Sequence, residues 1–496
     1  MPAAEPTKRE DALDAAASYV TNGQFIQEMK PRIAVRTESP RDDCRADIEI
    51  YLHEHIRPVL DAMGFECQTM ENPCAPRLPA LFGQRFEDKA RPTILLYGHA
   101  DVLWGMAGRW AGDRDPWTLS VDENDGRIYG RGMADNKGQH SINLAALRLV
   151  LRLRGRLGFN VKVWIEASEE VGSLGLAEMA ASHRELLRAD CLIASDGPRV
   201  SLESPTIFLG CRGTVGFRLV CNLRAGAYHS GNWGGLLANP GIRLSHALAS
   251  ITDSKGRILV SGWTPSENAE PTSVRDALAN IEMRTSKGDP AIDDEWAEPT
   301  RKNAAQVYGW CNFEILAFTC GQPDAPVSAI PGRADATCQL RFVVGVDPKR
   351  VISNLRTHLD ERGFHDVTIE PIDDVYFLAT RTDPSNAWPQ FALRSLTNTL
   401  GAAPADADHK HSGSESESRP RNITLLPNFG GSLPNHVFAE ILGMPTVWIP
   451  HSYPGCAQHA PNEHMPIEIA KEGMQAMTGL FWDLGDMAPD ALPRLI

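Results

Sequence analysis

Thr93-Ile94-Leu95-Leu96-Tyr97-Gly98-His99-Ala100-Asp101 is a short apolar run that ends on a glycine and passes at once into titratable side chains. A run without polar alternation predicts a strand covered on both faces, as in a parallel sheet. Downstream, Gly138–Arg154 reads as a helix, Val161–Ala167 as a second buried strand, Glu170–His183 as a helix and Cys191–Ser195 as a third strand. Upstream, Gly23–Arg36 and Ala46–Met63 read as amphipathic helices, the latter with Ile48, Leu52, Ile56 and Leu60 at helical spacing. Strands alternating with helices predict an α/β fold with a mainly parallel sheet.

The pattern changes after Gly210. Thr214–Leu223 and Ala336–Val344 alternate apolar and polar positions, and each is followed by a helical stretch, Leu236–Ile251 and Pro348–Arg362. Two such units predict a small α+β domain inserted into the first. The α/β character returns near Ile423, with Thr446–Ile449 as a late strand. Between them Ala402–Arg421 is polar and low in complexity, an exposed loop whose His409-Lys410-His411 is expected to be solvated. His53-Glu54-His55 is also expected on a solvated face, because positions i and i+2 of a helix diverge.

A chain of 496 residues exceeds one ordinary core, so two domains or more are expected. Lys and Arg number 49 against 63 Asp and Glu, and an acidic surface disfavours nucleic acid as a partner. Met1–Tyr19 shows no apolar signal region, and no run reaches the roughly 20 apolar residues that span a bilayer, so no membrane association is expected. Ten cysteines without a Cys-x-x-Cys pair suit reduced thiols in a cytoplasm. Any metal is therefore expected on carboxylates and imidazoles.

Such residues follow the predicted strands: Gly98-His99-Ala100-Asp101, Glu169-Glu170, Ser195-Asp196-Gly197 and, ten residues beyond the strand ending at Ile449, His459-Ala460-Pro461-Asn462-Glu463. A glycine-rich loop, Tyr129-Gly130-Arg131-Gly132-Met133-Ala134-Asp135-Asn136-Lys137-Gly138, adds another aspartate. Strand ends are where α/β sheets build their sites. Singly, each motif has a bland reading: a capping pair, an acidic first helical turn, a turn signal. Together they fit a pair of divalent ions sharing a carboxylate, which would activate a bridging hydroxide and polarise a carbonyl. Glu169 and Glu170 could divide the roles of base and ligand, and Asp101 could orient the His99 imidazole.

These motifs, with Asp115-Pro116-Trp117, Gly126–Gly138, Glu169-Glu170-Val171-Gly172-Ser173 and Ile330-Pro331-Gly332, occur in the order found in the M20 metallopeptidases. The chain resembles that group, which includes carboxypeptidase G2, aminoacylase 1 and the carnosinase-type dipeptidases. The resemblance implies His99 and Asp196 on one zinc, Glu170 and His459 on the other, Asp135 bridging both, Glu169 as general base and Asp101 as partner of His99. Cobalt or manganese are alternative ions. It also implies a cis peptide at Asp135-Asn136, a catalytic domain of residues 1–210 and 382–496, a lid and dimerisation domain of residues 211–381, and a homodimer. In Ala227-Tyr228-His229-Ser230-Gly231 it assigns His229 to the oxyanion, and in Leu340-Arg341-Phe342 it assigns Arg341 to a substrate carboxylate. In Gly430-Gly431-Ser432-Leu433-Pro434-Asn435 it assigns Gly431 and Ser432 to the substrate. Carnosinase-type dipeptidases carry Arg-Glu before that Gly-Gly-Ser, whereas Asn428-Phe429 stands here. The expected reaction is hydrolysis of an amide in a small carboxylate-bearing substrate such as a dipeptide. The alternatives are deacylation of an N-acyl amino acid and, ranked lower, a non-catalytic metal-binding or assembly role.

Overall fold

Eight strands build the main sheet: β1 (Glu66–Met70), β2 (Ala80–Arg85), β3 (Thr93–His99), β4 (Asn160–Glu166), β5 (Cys191–Ala194), β6 (Thr206–Phe208), β7 (Thr424–Leu426) and β8 (Thr446–Trp448). Their lateral order in this computed structural model is β1-β2-β4-β3-β5-β8-β6-β7. The structure describes residues 8–266, 270–281, 290–301, 303–372, 377–401 and 422–495. The expected loop at 402–421, with His409-Lys410-His411, lies outside the described residues.

The apolar run that predicted a buried strand lies near the middle of the sheet. β3 runs parallel to β4 and β5, β5 parallel to β8 and β6 parallel to β7. β1 with β2, β2 with β4 and β6 with β8 are antiparallel, so the sheet is mixed and mainly parallel at its centre. Ile94–His99 are buried, as an uninterrupted apolar strand requires. Helix Lys137–Arg154 packs against β3. A Cβ on Gly98 would come 2.6 Å from the Cβ of His140, so sheet and helix approach at a point where only glycine fits. Helix Ile467–Asp486 packs on Lys137–Arg154, on Arg9–Thr21 and on Ala387–Leu400.

The contacts divide the chain into two compact units. The first comprises Met1–Leu209, Thr382–Leu426 and Val437–Ile496; the second comprises Gly210–Arg381 and Pro427–His436. The second holds a four-stranded antiparallel sheet whose strands lie in the order Asn312–Cys320, Arg333–Phe342, Gly213–Asn222, Val367–Pro371. Helices Pro240–Ile251 and Val351–Glu361 pack on it around Phe217, Leu219, Leu244, Trp263 and Leu355. The first of these helices starts later than the apolar spacing predicts. The Asn239 side chain accepts from the amides of Gly241 and Ile242, and Pro240 occupies the first turn, where its missing N–H costs nothing.

Asn312–Cys320 forms a strand although its residues carry no clean alternation to predict one. It lies at the edge of its sheet and exposes Ile315, Leu316 and Phe318.

The expected helix over Glu170–His183 does not form as one piece. A single 3-10 turn covers Glu169–Val171, and the helix proper is Leu176–Ser182. Between them Gly172, Ser173 and Gly175 have φ of 86°, 51° and 79°, a left-handed conformation that a right-handed helix cannot pass through. The break leaves the two glutamates on a short turn of their own. Among the described residues no helix is long and apolar enough to cross a membrane.

Candidate metal centre

His99 is the last residue of β3 and Asp196 follows β5 by two positions, so parallel neighbours deliver both side chains to the same end of the sheet. His99 Nε2 lies 3.0 Å from Asp135 Oδ1 and 3.6 Å from Asp196 Oδ2. The other oxygen of Asp135 faces a second group. Asp135 Oδ2 lies 3.1 Å from His459 Nε2, which in turn lies 3.1 Å from Glu170 Oε2. Two clusters capable of holding an ion therefore share one carboxylate: His99, Asp135 and Asp196 in one, Asp135, Glu170 and His459 in the other.

Asp101 is wholly buried and links the histidine to the glutamate turn. Its Oδ1 lies 3.3 Å from His99 Nδ1, and its carboxylate accepts the backbone N–H of Glu169 at 3.3 Å and of Glu170 at 3.1 Å. The Asp101 carbonyl is also 3.1 Å from His99 Nδ1. With Nδ1 held by acceptors, Nε2 is the nitrogen turned toward Asp135 and Asp196 and the one that would bind an ion.

The residues fit a pair of cations on three observations. Asp196 Oδ2 is a buried carboxylate oxygen with no hydrogen-bond partner. The donor set is oxygen and imidazole nitrogen, the set that divalent zinc, cobalt and manganese accept. Finally, the acids crowd one another, offset in part by the imidazoles of His99 and His459. Burial pushes Glu170 up to about 7, helped by the negative Asp135, and burial also pushes Asp196 up to about 7. Burial raises Glu169 well above the usual carboxylate range, with Asp196, Glu170 and Asp135 adding to it against the opposing pull of His99. Burial likewise opposes ionisation of Asp135, but hydrogen bonds from His459 and His99 win and hold its pKa below the ordinary range. His459 is raised to about 11 by its hydrogen bonds to Asp135 and Glu170. Protons here stand in for positive charge that cations would supply.

The peptide between Asp135 and Asn136 is cis. Asn136 accepts the His99 N–H at 3.4 Å through Oδ1 and donates from Nδ2 to the Ser195 carbonyl at 2.8 Å, tying the ends of β3 and β5 together. Glu463, quoted in the sequence only as part of a motif, is fully buried and accepts the amides of Gly132, Ala134 and Asp135. Neither role was foreseen. A buried carboxylate holding backbone amides looks, in sequence, like any surface glutamate.

The remaining expected residues belong to the second unit. Arg341 Nη1 donates to Ser432 Oγ at 3.3 Å, and Ser432 Oγ donates to the Arg212 carbonyl at 2.9 Å. A Cβ on Gly431 would lie 2.4 Å from the ring of Phe429, so that turn admits only glycine. Asn428 is buried and gives its amide to the carbonyls of Cys211 and Thr380, so at this position the departure from Arg-Glu serves the fold. His229 is exposed on a two-residue strand pairing with Ala329–Ile330, and its Nδ1 accepts the Gly231 amide at 3.1 Å. His53 and His55 are in neither cluster; His53 Nε2 meets Thr69 Oγ1 at 3.3 Å.

Residues 95–483 match the sequence model for peptidase family M20/M25/M40. A human Beta-Ala-His dipeptidase is 30% identical over 356 residues, which cover 68% of this chain and 69% of the relative. A Cysteinylglycine-S-conjugate dipeptidase of Corynebacterium striatum is 29% identical over 325 residues, 63% of this chain and 67% of the relative. Among solved structures, the dipeptidase Dug1p of Saccharomyces cerevisiae superposes with a TM-score of 0.71 at 22% identity, covering 96% of this chain and 99% of that one.

Proposed function

Because the chain belongs to peptidase family M20/M25/M40 and is thus an enzyme, a metallopeptidase, we propose that it is a dipeptidase cleaving small peptides beside a free carboxylate. The observation that carries this reading is the division of the Asp135 carboxylate, one oxygen toward His99 and Asp196, the other toward His459 and Glu170. Two divalent cations, zinc first and cobalt or manganese as alternatives, would supply Lewis-acid polarisation of the scissile carbonyl and activation of a water. His99 and Asp196 would hold one ion, Glu170 and His459 the other, and Asp135 both.

The protein's own groups do the rest. Asp101 keeps the His99 lone pair aimed inward and fixes the Glu169-Glu170 turn. That turn separates two jobs: Glu170 faces His459 as a ligand, and Glu169 is left as general base. Glu169 takes the proton of the attacking water and returns it to the leaving amine. Burial raises the proton affinity of this carboxyl, which suits a group that must hold the proton between the two steps. Arg341, Ser432 and the backbone at Gly431 form the carboxylate-binding group, since a guanidinium beside a hydroxyl matches the planar fork of a terminal carboxylate. His229 is assigned the oxyanion of the tetrahedral intermediate.

Dipeptides are favoured over N-acyl amino acids because the relatives reported above are named dipeptidases. The non-catalytic reading is set aside with membership of the family. We assign the second unit the lid and dimerisation roles. The exposed, apolar edge strand Asn312–Cys320 supports a homodimer, because such an edge invites pairing with a second copy. A cytoplasmic location is supported by ten unpaired cysteines.

The deciding experiment is Glu169→Ala on zinc-loaded protein with a panel of dipeptides and N-acetyl amino acids. The variant should keep its metal content and lose kcat by about 100-fold or more. Full kcat in E169A, with both ions bound, would overturn the assignment. Turnover of N-acetyl amino acids alone by the unaltered enzyme would overturn the substrate class.

A further inference from the structure

We propose that Arg131 and Glu463 form a crossed clamp that sets the spacing of Asp135 and His459, and so controls retention of the ion assigned to the Asp135–Glu170–His459 cluster; the inference rests on the metal reading above. Glu463 stands four residues after His459 and is wholly buried. Its side chain nevertheless serves the other loop. Oε1 accepts the amides of Ala134 at 2.8 Å, Asp135 at 3.0 Å and Gly132 at 3.1 Å, while Oε2 accepts Arg131 Nη1 at 2.7 Å. Its backbone carbonyl accepts the Gly130 amide at 3.1 Å. Arg131 stands four residues before Asp135, and its Nη2 donates to the Ala460 carbonyl at 3.1 Å, next to His459, and to the Trp104 carbonyl at 2.9 Å. Each ligand's loop is therefore held by a side chain from the other's.

The two clusters differ in what supports them. His99 ends a strand and Asp196 follows one, so the sheet fixes both. His459 lies in no strand or helix; its side chain is 55% exposed and its φ is 61°, between Ala457 at 57° and Asn462 at 66°. Few contacts of its own hold this ligand. The clamp supplies them: three backbone amides and a guanidinium converge on one carboxylate, with charge-assisted bonds at every contact. A glutamine in its place would turn an NH2 group toward donors and break at least one of these contacts. The His459 loop would then drift from Asp135, whose neighbour Asn136 still ties it to the ends of β3 and β5 through His99 and Ser195. A pair that merely stabilised the fold would weaken both clusters alike or neither.

The test is Glu463→Gln, with Arg131→Lys as the milder variant because one ammonium cannot reach every acceptor of the guanidinium. Zinc binding is measured by equilibrium dialysis, the cobalt(II) form by visible absorption, and folding by circular dichroism. The unaltered protein should bind two ions per chain. In the variants one ion should keep its affinity within about threefold and the other should weaken by about 10- to 100-fold, with loss of part of the cobalt spectrum. Two ions held at unaltered affinity in a folded variant, or parallel weakening of both, would overturn the clamp. So would failure of both variants to fold, since the pair would then be a general structural element. Fewer than two ions on the unaltered protein would instead overturn the metal reading, and the clamp with it.

Discussion

Asp101→Asn removes one negative charge and leaves the volume of the side chain almost unchanged. The carboxylate now serves three donors: the amides of Glu169 and Glu170 and the His99 ring nitrogen. An asparagine offers one acceptor oxygen and one NH2, so at least one donor faces a donor at a wholly buried position. The carbonyl of residue 101 still lies 3.1 Å from His99 Nδ1, so the tautomer survives, and the loss falls on the glutamate turn and on the basicity of the imidazole. One charge-assisted hydrogen bond is worth about 1.5–3 kcal/mol. At about 1.4 kcal/mol per decade, a loss of about 2 kcal/mol is roughly 30-fold, within the 10- to 100-fold range typical of residues behind a metal ligand. Zinc affinity by competition with a chelator, and kcat/KM on a dipeptide, should each fall by that order. Thermal unfolding of the metal-free chain should shift far less, because removing a buried charge offsets part of the lost bonding. Wild-type zinc affinity together with wild-type kcat/KM in D101N would refute the reasoning.

Metal affinity should rise with pH from about 6 to about 11, steepest near 7, since burial pushes Glu170 and Asp196 up to about 7, hydrogen bonds to Asp135 and Glu170 raise His459 to about 11, and all three must shed protons to act as ligands. Calorimetry in buffers of different ionisation enthalpy should register that proton release, and pH-independent binding without release would contradict it. Arg341→Met should raise KM for dipeptides by about 10- to 100-fold, the worth of a charge-assisted bond to a carboxylate, with a smaller effect on substrates whose C-terminus is amidated. Equal KM changes for both substrate types would remove Arg341 from that role. Leu316→Glu puts a charge on the exposed edge strand and should shift sedimentation toward a single chain while leaving the far-ultraviolet spectrum unaltered; an unchanged sedimentation coefficient would exclude that edge as the dimer contact.

β3, β4, β5 and β8 were legible because they are covered on both faces and so read as apolar runs, and His99, Glu169, Glu170 and Asp196 because they follow such runs. β1, largely exposed, shows no such run, and Asp135 was read from a glycine-rich loop. Thr206–Phe208 in the same sheet is three residues long, too short to show any period. The edge strand at Asn312–Cys320 escaped for the opposite reason: both faces are largely exposed, so nothing forces alternation. The stop after Glu169–Val171 depended on Ser173 adopting a left-handed φ, which its side chain does not announce. Glu463 and Asn136 hold the site through backbone groups, and their partners become visible only once the chain is folded.

The first unit is assembled from three stretches of chain, with the whole of the second inserted among them. His459 is 324 residues beyond the aspartate it meets. During synthesis the sheet around β3 can form early, and with it the pocket of His99, Asp135 and Asp196. The neighbouring pocket must wait until His459, in the last stretch of the first unit, has emerged. A growing polypeptide thus carries the residues of one cluster while its neighbour still lacks a member, across the 324 positions that separate Asp135 from His459.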